Sequence, residues 1–532
     1  MLRWFRRPGS KRPVLAAIAA LLLLFLTGPL TSQSTGDEPR IPRESRPAAR
    51  SPIEPAIDFD QPLTWPIDED ASTPDEWFPF TSAYFDEPPD DAVSVERLLF
   101  QEPEAMVPES LPPINDDTAE VYSTGEGAPV GSEVFGRPSY PITYDRGFRF
   151  RPDNPDVPLF ELKIRTQNQI RYTGFARDAR TWTDGAGVVR PVTNVSNFQI
   201  PRGRLIFSGF IFLRDLSYNL NIDYNTVSAN QINFRAYWLA WRFNRAVTAY
   251  IGQSKVPGSR EWLLSIMNTL GPDRSMATTF FRPSLSQGLW FTGEPLDGLF
   301  YHAMMSNGFN TLGATSQQLN SRMTFSGSLW WEPWGEFGLG YSDFEWHEAP
   351  SLRGGFSLTH SPEQGPQGSP DAPENADVRL SNGTLLTATG ALDPGATLNL
   401  YKIGLASIDL AYKYRGLGLS GEYFLQNIFG LGANMPLPQS SIFQQGGFIQ
   451  GGYFFIPEKL EVYGRSSYAR STFGFGSEYA GGFNWFFLPG KQNLRFTLDA
   501  AWLNHNPADQ NRTNLQAGQT GLLVRSQVQL FF

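Results

Sequence analysis

From residue 160 onward the chain alternates. In "LFELKIRTQNQIRYTG", Phe160, Leu162, Ile164, Ile170 and Tyr172 fall on one side; Glu161, Lys163, Arg165, Gln167, Gln169 and Arg171 fall on the other. Successive strand side chains point to opposite faces, so this pattern predicts a strand with one apolar and one charged face. The pattern returns in "LSYNLNIDYN", where Leu216, Tyr218, Leu220, Ile222 and Tyr224 oppose Ser217, Asn219, Asn221, Asp223 and Asn225. It returns again in "SRMTFSGSLWW", in "NLRFTLDAAWL" and in the last residues, "VRSQVQLFF".

A soluble sandwich alternates too, so the connections carry the distinction. Short ones, "RD" at 214–215, "NR" at 244–245, "EPLD" at 294–297, "EPWG" at 332–335, "YRG" at 414–416, "PEK" at 457–459 and "LPGK" at 488–491, interleave with longer ones. The longer ones fall near 174–196, 227–231, 254–286, 307–319, 347–400, 427–445, 470–475 and 504–519. Seven short turns and eight long loops require sixteen strands. Segments of roughly 9–13 residues suit tilted membrane-crossing strands, and bulky aromatics near strand ends suit interfacial girdles. The expected fold is all-β: a 16-stranded antiparallel transmembrane β-barrel over 158–532, with short periplasmic turns and long outer loops. Closure pairs the first strand with the last, leaving no open edge. The strand ending at Phe532 then resembles the signal read by the outer-membrane barrel assembly machinery.

The front of the chain has no such pattern. Arg3, Arg6, Arg7, Lys11 and Arg12 precede the apolar run Val14–Leu26, which reads as a signal peptide within 1–34, with a retained anchor as the other reading. Residues 35–157 are rich in Pro and acids and read as a disordered periplasmic leader. Between 31 and 157 there are 27 Asp/Glu against 9 Arg, whereas 158–532 holds 26 acids and 29 Lys/Arg. The overall charge of −10 therefore belongs to the front, not to the barrel.

Composition agrees and excludes some chemistry. Abundant Gly (50), Phe (41), Tyr (19) and Trp (14) suits strands and turns, and the absence of Cys removes disulfides, thiolate metal sites and a Cys nucleophile. The four His are His302, which alternates into the lumen, and His347, His360 and His505, in or beside loops. No nucleophile elbow, zincin helix or phosphate-cradling Gly loop is present. No enzyme, cofactor, metal or nucleic-acid partner is expected.

Four local motifs in order resemble those of the phosphate-selective porins O and P. They are "IPRGRLIFSG" with Arg202, Arg204 and Gly209; "IGQSKVPGSREW" with Gly252, Gln253, Lys255 and Pro257; "FFRPSLSQGLWFTGE" with Arg282 and Gly288; and "MMSNGFN" with Asn307 and Gly308. Gly258 stands where that family usually carries Phe. The resemblance implies a sixteen-stranded homotrimer in the bacterial outer membrane, surrounded by lipid, that passes small anions through a pore narrowed by infolded loops.

The lumen chemistry follows from strand phase. Lys163, Arg165, Arg171, Arg202, Arg204, Arg235, Arg322, Arg465, Arg495 and Arg525 are expected inside, against Glu161, Asp223, Glu422, Glu461, Glu478 and Asp499. The 254–286 loop, with a short helix in "SREWLLSIMNTLG", adds Lys255, Arg260, Arg274 and Arg282 and is the expected constriction. Pore-lining charges set the barrier a passing ion meets, and arginine forks suit oxyanions. The expected function is an anion porin that also passes small solutes; phosphate is one candidate anion, although the barrel has only six Lys and no Lys cluster that would bind it. A plugged structural or adhesive barrel without conductance is the alternative. The 361–396 segment reads as a mobile surface loop.

Overall fold

The computed structural model describes residues 140–152, 160–227, 232–365, 377–488, 491–508 and 515–532. The expected signal segment and most of the expected leader lie outside them. Two small hairpins are formed by β1 (Ile142–Tyr144) with β2 (Phe148–Phe150), and by β4 (Thr181–Thr183) with β5 (Val189–Pro191). Sixteen further strands make the wall. The first eight are β3 (Leu162–Arg177), β6 (Val195–Ile211), β7 (Leu213–Tyr224), β8 (Ile232–Asn244), β9 (Val247–Lys255), β10 (Leu285–Leu296), β11 (Leu299–Ser306) and β12 (Thr324–Trp331). The rest are β13 (Ser351–Gln364), β14 (Leu398–Tyr414), β15 (Leu417–Ala433), β16 (Ser441–Ile456), β17 (Leu460–Ser471), β18 (Gly474–Leu488), β19 (Lys491–Asn504) and β20 (Gly521–Phe531).

Each wall strand pairs antiparallel with its neighbours, and β20 pairs with β3 from Gly521↔Arg177 to Phe531↔Gln167, which closes the barrel. Alternation decides which face is wet: Ile170, Ile251 and Ile449 are 57 %, 63 % and 67 % exposed on the outer surface, while Arg171 beside Ile170 is buried inside. The short-turn end carries tight connections. At Arg415–Gly416 both residues have positive φ (46° and 81°), the geometry of a two-residue hairpin turn whose twist matches the flanking strands.

Three features depart from the sequence reading. Residues 142–150 are not leader: β2 pairs with β3 at Leu162–Ile164, just beyond the reach of β20. The connection after Glu332 is not a tight turn, because 332–350 folds into the lumen and buries Phe337, Tyr341 and Phe344. The strand expected there is supplied instead by β13, inside the expected 347–400 loop. Pro362 is tolerated in β13 because beyond His360 the strand pairs only with β14, so the proline sits on a locally open edge. The 361–396 segment is also not a free surface loop in its described part: Leu380, Leu386 and Ala391 pack with Leu398, Tyr401, Ile428 and Ile442.

Candidate anion-binding lumen

The segment between β9 and β10 runs through the barrel. It holds α1 (Arg260–Leu263), a 3-10 turn at Ile266–Asn268 and α2 (Met276–Phe281). Each piece starts at a serine that accepts a backbone N–H: Ser259 from Trp262 at 3.1 Å, Ser265 from Met267 at 3.3 Å and Ser275 from Thr278 at 3.1 Å. Such caps satisfy the orphan donors of short helices. Trp262 anchors the near side among Trp238, Tyr250 and Trp290, and Phe281 stacks on Phe424 with centroids 5.2 Å apart.

Several expected pore residues brace this segment. Lys255 donates to the carbonyls of Trp262, Leu263 and Leu264 at 2.8, 3.2 and 3.1 Å. Arg274 donates to Glu261, Trp262 and Leu264 carbonyls at 2.8, 3.2 and 2.5 Å. Two cations on the four carbonyls of 261–264 compensate the C-terminal end of α1. On the other side Glu422 accepts the N–H groups of Arg260 and Glu261 at 2.9 and 3.2 Å. Arg282 lies over the Trp262 ring at 4.4 Å, and Arg260 over Tyr341 at 4.6 Å and Phe337 at 5.2 Å. Burial raises the Glu261 carboxyl above its ordinary range.

The far wall is built of arginines. Arg171 and Arg202 converge on Asp273 at 2.8 Å each, joined by Arg525 at 2.8 Å. Burial pushes the Asp273 carboxyl up, but Arg171, Arg202 and Arg525 outweigh it and hold the group well below the ordinary carboxylate value. Arg465 donates to the Asp273 carbonyl at 3.0 Å and Arg495 to the Thr269 carbonyl at 2.9 Å. Arg204 pairs with Asp223 at 3.1 Å, Arg165 donates to Ser208 at 3.0 Å, and Arg235 is buried beside Arg204 and Asp223.

Of the expected pore residues, Arg165, Arg171, Arg202, Arg204, Arg235, Lys255, Arg260, Arg274 and Arg282 thus lie inside the barrel. Arg322 does not: it sits exposed in the loop before β12, because the strand begins only at Thr324. The sequence reading missed Asp273 as the focus of the wall, since its partners lie far away along the chain. It also missed Arg353, which stacks over Trp330 at 5.0 Å and lies 4.0 Å from Asp409. The signal available for Arg353 was its i, i+2 relation to Gly355 and Ser357 in a segment read as loop. His360 also moves: it is on β13, tilted against Phe429 with centroids 6.0 Å apart.

The second inserted segment meets the first. Tyr341 donates its N–H to the Asn268 carbonyl at 3.3 Å, and Arg260 reaches the Gly340 carbonyl at 3.5 Å. Asp343, Glu345 and His347 cluster at its end with the spacing of a cation site. Their ligand atoms are already used: Asp343 accepts from Gly416 N–H at 2.7 Å and bonds the His347 ring, and Glu345 pairs with Lys413 at 3.1 Å. The cluster is a brace for the 332–350 segment.

A protein-family model described as phosphate-selective porin O and P matches residues 175–532. No curated protein matches the chain. Among solved structures, an anion-selective porin from Comamonas acidovorans is similar, with 11% identity, a TM-score of 0.46, and coverage of 70% of this chain and 100% of that one. The outer-membrane protein OmpT of Vibrio cholerae gives 10% identity, a TM-score of 0.43, and coverage of 70% and 98%. OmpF of Salmonella typhi, solved with daunomycin, gives 11%, 0.41, 70% and 98%.

Proposed function

Because the chain belongs to the phosphate-selective porin O and P family, an outer-membrane porin family of non-enzymatic channels, we propose that its barrel conducts small anions. The observation that carries this reading is the far wall, where Arg171, Arg202, Arg465, Arg495 and Arg525 line one side of the lumen and meet Asp273 and the segment's carbonyls. These guanidinium groups, held by β3, β6, β17, β19 and β20, set a fixed positive field on that side of the lumen. Fixed donors lower the barrier for anions and raise it for cations. Phosphate and other oxyanions match the forks of these arginines. In this reading the short turns and the leader face the periplasm, 1–34 is removed on export, and the barrel assembles as a homotrimer in outer-membrane lipid. The assembly machinery engages β20.

The test is the reversal potential of the purified full-length protein in planar bilayers across a potassium chloride gradient. An anion-selective potential supports the reading; a cation-selective one overturns it and leaves a general porin.

A second reading, a barrel closed at rest, has its own observation. Segments 256–284 and 332–350 enter from opposite ends and meet at Tyr341 and Asn268. Absence of single-channel steps in any salt would favour it.

A further inference from the structure

The lumen already contains an anion of its own. The Asp273 carboxylate receives Arg171 through Oδ2 at 2.8 Å and Oδ1 at 3.1 Å, Arg202 through Oδ1 at 2.8 Å, and Arg525 through Oδ2 at 2.8 Å. The three cations come from three adjacent wall strands, β6, β3 and β20. Other wall groups hold them in place: Gln527 accepts from Arg171 at 2.9 Å, Gln169 from Arg202 at 2.9 Å, and Asp499 from Arg525 at 2.8 Å. The socket is therefore shaped largely by the wall. Asp273 brings its carboxylate to this socket on the lumenal segment between β9 and β10. The remaining ties there run to backbone carbonyls, as from Arg171 and Arg202 to Pro272 at 3.0 and 3.4 Å, from Gln529 to Met267 at 3.1 Å and from Asn484 to Leu270 at 2.9 Å.

The charge count favours a stronger anion than a carboxylate. Three guanidinium groups face Asp273 and Asp499, which leaves one positive charge inside a dry site. A dianionic oxyanion in place of Asp273 would neutralise it and offer more acceptor oxygens to the same forks. The near half of the segment has separate anchors in Trp262, Lys255, Arg274 and Glu422, so release of Asp273 need not unthread the whole segment.

We propose that Asp273 is a built-in competitor: its carboxylate fills an oxyanion site formed by Arg171, Arg202 and Arg525, and a small dianion binds there by displacing it and freeing the stretch around 265–275 from the wall. This rests on the anion-channel reading and adds an anion-operated latch to it.

The chain has no cysteine, so Met267→Cys places a single reporter thiol at a side chain that is 2 % exposed. The full-length protein is reconstituted in liposomes, and the rate of modification by a charged, water-soluble thiol reagent is measured in chloride and in inorganic phosphate at matched ionic strength. Single-channel conductance is recorded in parallel. The latch requires a rate at least about tenfold higher in phosphate, an opening equilibrium moved by roughly 1.4 kcal/mol. Adding Asp273→Asn should give the fast rate in both salts, and Asp273→Glu should retain the salt dependence. Equal rates in the two salts, or a thiol still protected after Asp273→Asn, overturn the latch. If Asp273→Asn lowers the folded yield, the two-salt comparison on the Met267→Cys protein decides alone. An anion-selective channel with a salt-independent thiol would remove the latch and leave the channel. A barrel that conducts in neither salt, with or without Asp273, would remove the channel.

Discussion

The ring of Phe532 meets the ring of Phe148 edge-on, with 6.1 Å between centroids. Two elements far apart in the chain thereby finish one seam. Phe532 exchanges backbone hydrogen bonds with Thr166, accepting from its N–H at 2.6 Å and donating to its carbonyl at 3.1 Å. Immediately beyond, β2 takes over the pairing of β3.

Deleting Phe532 removes this pair of hydrogen bonds and the aromatic contact together. Folded barrel in the outer membrane, measured by heat-modifiable gel mobility, should fall several-fold while export continues. Phe148→Ala keeps the backbone bonds and removes the ring contacts with Phe532 and Tyr144, each worth about 0.5–1.5 kcal/mol. That variant should assemble at normal yield with a slightly lower unfolding temperature.

Arg202 and Arg204 share a face of β6 but answer to different acids, Asp273 and Asp223. Changing both to Glu would set like charges about 3 Å apart in a buried site and cost folded protein, contrary to a simple strand-phase expectation. The neutral pair Arg202→Gln with Arg204→Gln keeps donors and removes the charge. Its reversal potential should move toward cation preference, with folded yield reduced less than for the Glu pair. An unchanged potential would move the filter elsewhere in the lumen.

A side chain at residue 258 has no room. A Cβ there would lie 2.4 Å from Pro283 Cδ and 3.5 Å from Leu405. Gly258→Phe should therefore destabilise the barrel by at least about 1–3 kcal/mol, the usual cost of overpacking, seen as a lower unfolding temperature in detergent. Normal stability would mean that the segment shifts freely at this point.

Segment 332–350 takes the place of a tight turn. Replacing 333–349 with Asn-Gly should preserve the wall, because β12 and β13 pair only from Trp331↔Gly354 onward and seven residues remain to join those two positions, with Asn-Gly favouring the reversal. Single-channel conductance should rise, since Phe337, Tyr341 and Phe344 leave the lumen. Unchanged conductance would show that ions pass on another side of the barrel.

What could be read from the sequence follows physical range. The alternation of Ile164, Arg165, Ile170 and Arg171 is a local consequence of the pleat, and so strand phase, strand number and closure were legible. Segment 336–346 misled for a related reason: Phe337, Leu339 and Tyr341 alternate as in a strand, but their apolar rings pack inside the lumen rather than against lipid. Strand β13 was hidden by Gly354, Gly355 and Pro362. Arg322 lost its place through a two-residue error in where β12 begins. Asp273 was visible only as a minority acid, because its meaning depends on Arg171, Arg202 and Arg525, roughly 70 to 250 positions away. Pairing over such distances is set by closure of the whole wall.

The hydrogen bond from Tyr341 to Asn268 joins two segments that enter from opposite membrane faces. Each segment is in effect a ligand of the other. Whatever free energy one contributes to holding its neighbour in place, the neighbour returns in equal measure, because coupling between two equilibria is reciprocal. A change that loosens 332–350, which enters from one end of the barrel, therefore also loosens 256–284, which enters from the other.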